Sequence, residues 1–270
     1  MKYLFITDQP EIARFVEQHG VGRIFVDLEV LGKQERQAGR DTVISVHNPE
    51  SIARIRSELS TAELMVRVNP LNPDTPREVD CVLDLGADRL MLPMFRHVSE
   101  LAQFCRLVRG RAGVVPLVET AGAMNALADV VRVDGVCDVH IGLNDLHLDL
   151  NRKFMFELLT DGTVDRMAEV CRTANMPFGI GGVATIGGGT IPGELVLGEH
   201  ARLGSTATIL SRSFHHRAAN LKDLLAKVDF PMEIKKLNDV LAAKRRRRSD
   251  EIAADHAEIC RLVAAVVRAA

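Results

Sequence analysis

The chain is 270 residues long, 47% hydrophobic and 26% charged, with a formal net charge of −2. So even a balance gives no general pull toward nucleic acid or an anionic membrane, and no apolar run reaches the ~18 residues of a membrane span. The length suits one (β/α)8 barrel of about 250 residues, or two ordinary domains.

The N-terminal MKYLFITDQPE has one Lys and a short apolar stretch before Asp8, so it lacks the plan of a signal peptide. Short apolar runs then alternate with amphipathic stretches, the pattern of α/β folds with parallel strands. Strands are expected at 3–6, 23–28, 63–69, 89–93, 113–118, 138–142, 177–182 and 204–209. Helices are expected between them, at about 9–19, 50–58, 76–85, 97–109, 121–132, 151–174 (broken near Gly162) and 191–201. For the first helix, Asp8 is the expected cap and Glu11 completes a capping box, with Ile12, Phe15 and Val16 on one apolar face. Eight such units predict a closed (β/α)8 barrel over 1–215. A doubly wound open sheet is the alternative, weakened because no Gly-x-Gly-x-x-Gly follows the first strand.

The tail over 216–270 is helical in composition and predicts an extension packed on the barrel or on a partner subunit. Lys244 precedes Arg245, Arg246, Arg247 and Arg248, and Ile252, Ile259, Leu262, Val263, Val266 and Val267 then recur at helical spacing. Such an arginine run is usually a solvated helix face, with phosphate contact as the alternative. Cys81, Cys105, Cys137, Cys171 and Cys260 form no C-x-x-C pair. Scattered thiols of this kind fit a reducing cytoplasm and argue against zinc.

A parallel barrel gathers the C-terminal ends of its strands on one face. Several expected strands end there on chemistry: Asp27 and Glu29, Arg67, Glu119, and Asp145. Two converging carboxylates, Glu119 and Asp145, make a hard-oxygen site suited to Mg²⁺ or Mn²⁺; the alternative is that each caps the following helix. Arg67 can grip a carboxylate through two parallel hydrogen bonds; the alternative is an ion pair with Asp27 or Glu29.

The segments Val26-Asp27-Leu28-Glu29, Val66-Arg67-Val68-Asn69, Leu92-Pro93-Met94, Val118-Glu119-Thr120 and Gly142-Leu143-Asn144-Asp145-Leu146, in this order, resemble the HpcH/HpaI aldolase/citrate lyase family of metal-dependent 2-oxo acid aldolases and citrate lyase beta subunits. The resemblance implies a barrel with Glu119 and Asp145 as ligands of a divalent metal, Mg²⁺ or Mn²⁺ or another such ion. It implies Arg67 as anchor of a pyruvate- or oxaloacetate-like carboxylate, with Gly142, Leu143 and Asn144 lining the substrate, and Asp27 and Glu29 in support. An aldehyde or acyl acceptor would be the second reactant. It also implies a homo-oligomer, in which the C-terminal helix can be swapped between subunits.

Two positions depart from the pattern. Val30 stands where the aldolases carry a general-base histidine, and Leu117 where many carry glutamine. A base must reach the proton it moves, so His47, Lys33, metal-bound water or a partner group are the substitutes to consider. His140 is expected in the barrel wall, and His147 next to Asp145. The glycines of 179–194, with Arg212, are weighed as a phosphate site at the seventh and eighth strands against a flexible lid. Phosphate binding would favour a phosphoenolpyruvate-using transferase or synthase, and the Val30 departure a non-catalytic metabolite-binding homologue.

Overall fold

A computed structural model describes residues 1–32 and 47–269. Among them are eight strands: β1 (Lys2–Ile6), β2 (Arg23–Asp27), β3 (Glu63–Arg67), β4 (Arg89–Leu92), β5 (Gly113–Val118), β6 (Val139–Ile141), β7 (Phe178–Val183) and β8 (Ala207–Leu210). All neighbours pair parallel in chain order, and β8 closes on β1. The chain is therefore a (β/α)8 barrel, as its alternation predicts, and the open sheet is excluded.

Side chains alternate along each strand, so one parity faces the helices and the other the lumen. Ile24, Val26, Leu64, Val66, Leu90, Val114 and Val118 join the large core between strands and helices. Phe25, Met65, Met91, Val115 and Leu117 form a separate core inside the barrel. Its N-terminal end is plugged by buried Arg23, which donates to Asp138 (2.8 Å) and Glu63 (2.9 Å). Burial would raise the Glu63 carboxyl, but bonds from Lys2, Arg23 and Arg89 hold it down at about 2. This end is closed by ion pairs, and the cavity described below lies at the other.

Between the strands run α1 (Pro10–Gln18), α2 (Glu50–Glu58), α3 (Thr75–Asp84), α4 (Val98–Val108), α5 (Ala121–Asn125), α6 (Leu127–Val130), α7 (Leu143–Asp149), α8 (Glu157–Thr160), α9 (Thr163–Thr173) and α10 (Gly193–Leu203). The expected capping box on α1 is absent. Pro10 takes the first helical position and moves the cap to Gln9, which makes no side-chain cap bond. Thr7 Oγ1 instead accepts from the Gln9 amide at 3.1 Å. The expected helix over 121–132 is two short helices, and α7 has no counterpart among the expected elements. The break near Gly162 holds: at φ +78° it separates α8 from α9.

The tail forms α11 (Leu221–Lys227), α12 (Phe230–Lys244) and α13 (Ser249–Ala269). Both α12 and α13 pack on α10 of the same chain, and α13 also on α8. Ile259 and Val263 are buried there; Ile252, Leu262, Val266 and Val267 are half-buried. The arginine run is not uniformly a solvated face. Arg247, 8% exposed, pairs with Asp255 and donates to the Gly198 carbonyl of α10 at 2.7 Å, while Lys244 reaches Asp255 at 2.6 Å. Among the described residues no helix is long and apolar enough to cross a membrane.

Candidate active site

At the C-terminal ends of the strands lies a cavity of about 210 Å³. Arg67, Glu119, His140, Asn144 and Asp145 supply its polar walls, and Gly142 and Leu143 line it as well. Residues from β3, β5, β6 and the first turn of α7 thus meet, as the parity of a closed barrel requires.

Asp27 and Arg67 are register partners on β2 and β3. Neighbours of one parity on parallel strands project side by side, and these two form a bidentate pair: Nε to Oδ1 and Nη2 to Oδ2, both 2.8 Å. Glu29 lies 3.4 Å from Arg67 Nε. The structural ion pair weighed for Arg67 is present, and it leaves Nη1 outside the pair. Burial would lower the Arg67 pKa, but Asp27 outweighs it and holds the guanidinium firmly charged. Its centre stands 5.5 Å from the Phe25 ring centroid, a favourable cation–π approach.

Glu119 does not cap α5; Thr120 does, accepting from the Ala123 amide (3.1 Å) and donating to the Phe95 carbonyl (2.6 Å). That corner holds Glu119 inward, where Oε1 accepts from the Met94 amide at 3.0 Å. Gly142 admits it: a Cβ there would stand 2.9 Å from Glu119 Cβ and 3.1 Å from Oε2. Burial, with Asp145 and Glu29 nearby, pushes the Glu119 carboxyl up to about 8 against the lowering pull of Arg67. Asp145 occupies the first turn of α7, where the helix dipole favours an acid; it also lines the cavity. The acidic groups of Asp27, Glu29 and Glu119 thus surround the Arg67 guanidinium, and Asp145 lines the same cavity. Among the described residues no three His, Cys, Asp or Glu side chains are grouped to hold a metal ion. A cation here would have the two carboxylates and otherwise water or substrate, an all-oxygen donor set of the kind that hard divalent ions such as Mg²⁺ and Mn²⁺ take.

His140 faces the lumen as well as belonging to the wall. Its Nε2 lies 3.1 Å from the Gly181 carbonyl, and burial pushes its pKa down to about 4, so the ring is neutral near pH 7. Gly179, its partner on β7, makes the room: a Cβ there would come within 2.5 Å of Nδ1. Strand parity and this glycine are the signals in the sequence that mark His140. His147 is buried in α7 with Nδ1 3.2 Å from the Leu143 carbonyl, outside the cavity lining.

His47 is not in this cavity. Its Nδ1 accepts the Asp27 amide at 3.0 Å, and the ring lines a separate space of about 580 Å³ with Leu28, Val30, Asn69, Arg77 and Glu78. Leu28 has the outward parity of β2, so this space opens away from Glu119. Val30 is 47% exposed, with its amide on Asn69 Oδ1 at 2.9 Å. Lys33 lies outside the described residues.

The glycine stretch also serves itself. Gly187 donates to Glu194 Oε2 at 2.9 Å, Gly188 to the Thr185 carbonyl at 2.9 Å and Gly193 to the Gly188 carbonyl at 3.2 Å. The Gly187 amide is thus taken by a carboxylate of the same chain. Arg212 lines a different, open hollow with Ser213, His216 and Arg217.

No protein of curated function matches the chain. Among solved structures it resembles an HpcH/HpaI aldolase/citrate lyase family protein from Burkholderia cenocepacia J2315 (16% identity, TM-score 0.62, covering 80% of this chain and 91% of that one). It also resembles an HpcH/HpaI aldolase from Desulfitobacterium hafniense DCB-2 (14%, 0.60, 78% and 85%) and the citrate synthase SbnG (17%, 0.59, 83% and 91%). At such identities these likenesses speak for the fold. The family model of HpcH/HpaI aldolase/citrate lyase matches residues 4–176, nearly two thirds of the chain. The chain belongs to the HpcH/HpaI aldolase/citrate lyase family, and with it to a group of aldolase- and citrate-lyase-like enzymes.

Proposed function

We propose that this chain is a divalent-metal-dependent carbon–carbon lyase, forming or cleaving a 2-oxo acid through a pyruvate-type enolate. One observation carries the reading: Arg67, Glu119 and Asp145, distant in sequence, open on a single cavity. Glu119 and Asp145 would hold Mg²⁺ or Mn²⁺, whose charge offsets the surplus of carboxylates. When bound, the ion supplies Lewis acidity to the 2-oxo group. Arg67, oriented by Asp27, takes the substrate carboxylate on the guanidinium edge outside that pair. Glu29 adds negative charge beside Arg67 and keeps it cationic. Gly142, Leu143 and Asn144 form the wall against which the 2-oxo acid lies, and Phe156, buried at the same cavity, excludes water from the enolate.

Proton NMR in D₂O tests the proposal. With Mg²⁺ or Mn²⁺ present, the protein should exchange the methyl protons of pyruvate for deuterium, and Arg67→Ala should lose that exchange. Absence of exchange together with no cleavage of any hydroxy-oxo acid overturns the reading, as does full activity in Arg67→Ala.

A further inference from the structure

On the outer helical layer, α9, α10 and α13 bring together side chains that do not line the active-site cavity: Asp165, Glu199, Arg202, His256 and Cys260. Glu199 is only 2% exposed. Its Oε2 accepts from Arg202 Nη2 at 2.6 Å and Nε at 2.9 Å, and Arg202 also pairs with Asp165. His256 Nδ1 lies 3.2 Å from the same oxygen, across the contact between α10 and α13. A carboxylate only accepts, so it fixes Nδ1 as the protonated nitrogen and leaves the ring's lone pair on Nε2. That nitrogen faces the Cys260 thiol, with Nε2 and Sγ 3.7 Å apart. Ion pairing accounts for Glu199 with Arg202, and the docking of α13 accounts for Glu199 with His256. Neither calls for a thiol one helical turn beyond His256, in line with the ring's lone pair.

We infer that His256 and Cys260 form a binding site for Zn²⁺, with Glu199 as the residue that orients the imidazole. Zinc–sulfur and zinc–nitrogen bonds of about 2.3 and 2.0 Å at a tetrahedral angle place the two ligand atoms about 3.5 Å apart, close to the 3.7 Å found. A ligating imidazole ordinarily has its other N–H on a carboxylate, the part Glu199 plays. The charges agree as well. Asp165 and Glu199 outnumber Arg202 by one, and a Cys260 thiolate adds a second negative charge, so a divalent ion leaves the cluster neutral. Burial and Glu199 push the Cys260 thiol up, and the ion displaces its proton on binding. Both side chains are half-buried and reachable from solvent, so water completes the coordination. Two protein ligands are half the set of a structural zinc site, which puts Kd on the order of 10 µM and not in the nanomolar range. The bound ion spans one turn of α13 and strengthens the bond from His256 to Glu199, fastening α13 to α10. This sulfur–nitrogen site is separate from the all-oxygen site of Glu119 and Asp145 and does not depend on the lyase reading. It needs no C-x-x-C spacing, because four residues of helix bring the two ligands to one face.

Cobalt reports the site directly, because a thiolate ligand gives Co²⁺ an intense charge-transfer band in the near ultraviolet. With the whole chain, reduced and in excess Mg²⁺ to occupy the oxygen site, Co²⁺ should raise this band and Zn²⁺ should abolish it. Cys260→Ser should lose the band. His256→Ala should weaken Zn²⁺ binding in competition with Co²⁺ by at least about 10-fold, the scale on which even an orienting partner matters. Cys81→Ser removes the exposed thiol and should leave both unchanged. Hydrogen exchange gives a readout without cobalt: Zn²⁺ should slow amide exchange across α13 in the wild type and not in Cys260→Ser. Absence of the band in the wild type, its persistence in Cys260→Ser or its loss in Cys81→Ser overturns the inference. So does α13 exchange in the wild type that Zn²⁺ leaves unmoved.

Discussion

The Glu119→Gln variant probes the site most directly. Buried at 3% exposure, the Glu119 carboxyl is pushed from 4.5 to about 8 by desolvation and by Asp145 and Glu29. The folded chain therefore holds a proton that the unfolded chain releases above pH ~4.5. Stability from this proton is complete at low pH and is lost as pH rises toward 8. At 1.36 kcal/mol per pH unit, the two units between pH 6 and 8 amount to about 3 kcal/mol at most. For a chain of this size that is a fall in Tm of roughly 5–10 °C. The amide that replaces the carboxyl in Glu119→Gln cannot ionise, and its oxygen can still accept from the Met94 amide. In chelator, differential scanning fluorimetry from pH 6 to 9 should show wild type losing Tm relative to the variant by that amount. Mg²⁺ or Mn²⁺ should restore wild type at pH 8–9 and leave Glu119→Gln unmoved, with proton release on binding in wild type alone. Parallel pH profiles in chelator, or equal cation response in both proteins, would refute the reasoning.

Three further outcomes are expected. Arg67→Ala should destabilise by about 3–5 kcal/mol in denaturant titration, because it leaves the buried Asp27 carboxylate without its bidentate partner. Gly142→Ala should cost about 1–3 kcal/mol and weaken divalent-ion binding measured by calorimetry, since the new Cβ meets Glu119 at 2.9 Å; unchanged ion affinity would count against Glu119 as a ligand. Arg247→Ala should cost about 1–3 kcal/mol and raise amide exchange across α13, because Arg247 ties Asp255 to the Gly198 carbonyl; unchanged exchange would show that burial of Ile259 and Val263 alone holds the helix.

Much of the site is legible one strand at a time. Arg67 and Glu119 stand at strand ends after apolar runs, a local signal that needs only barrel closure to bring them together. Asp145 carries the same signal, although it rides in α7, a short helix whose Gly142 start has no side-chain cap to announce it. The place of His47 is not legible, because it depends on which parity of β2 the ring docks against, and the ring settles on the Asp27 amide away from Glu119. His140 is hard to weigh from the sequence because its lumen position depends on a gap that Gly179 leaves on another strand.

By itself the sequence determined the repeating strand–helix units, the acid- and arginine-tipped strand ends and the family, because alternation, helical period and short motifs are properties of neighbouring residues. Only the tertiary structure decided that Asp27 and Arg67 pair side by side, that α13 is clasped by Arg247, and that Phe25, Met91 and Phe156 line one cavity with Arg67, Glu119 and Asp145. Those facts depend on register and closure between segments far apart in the chain, which no local pattern encodes.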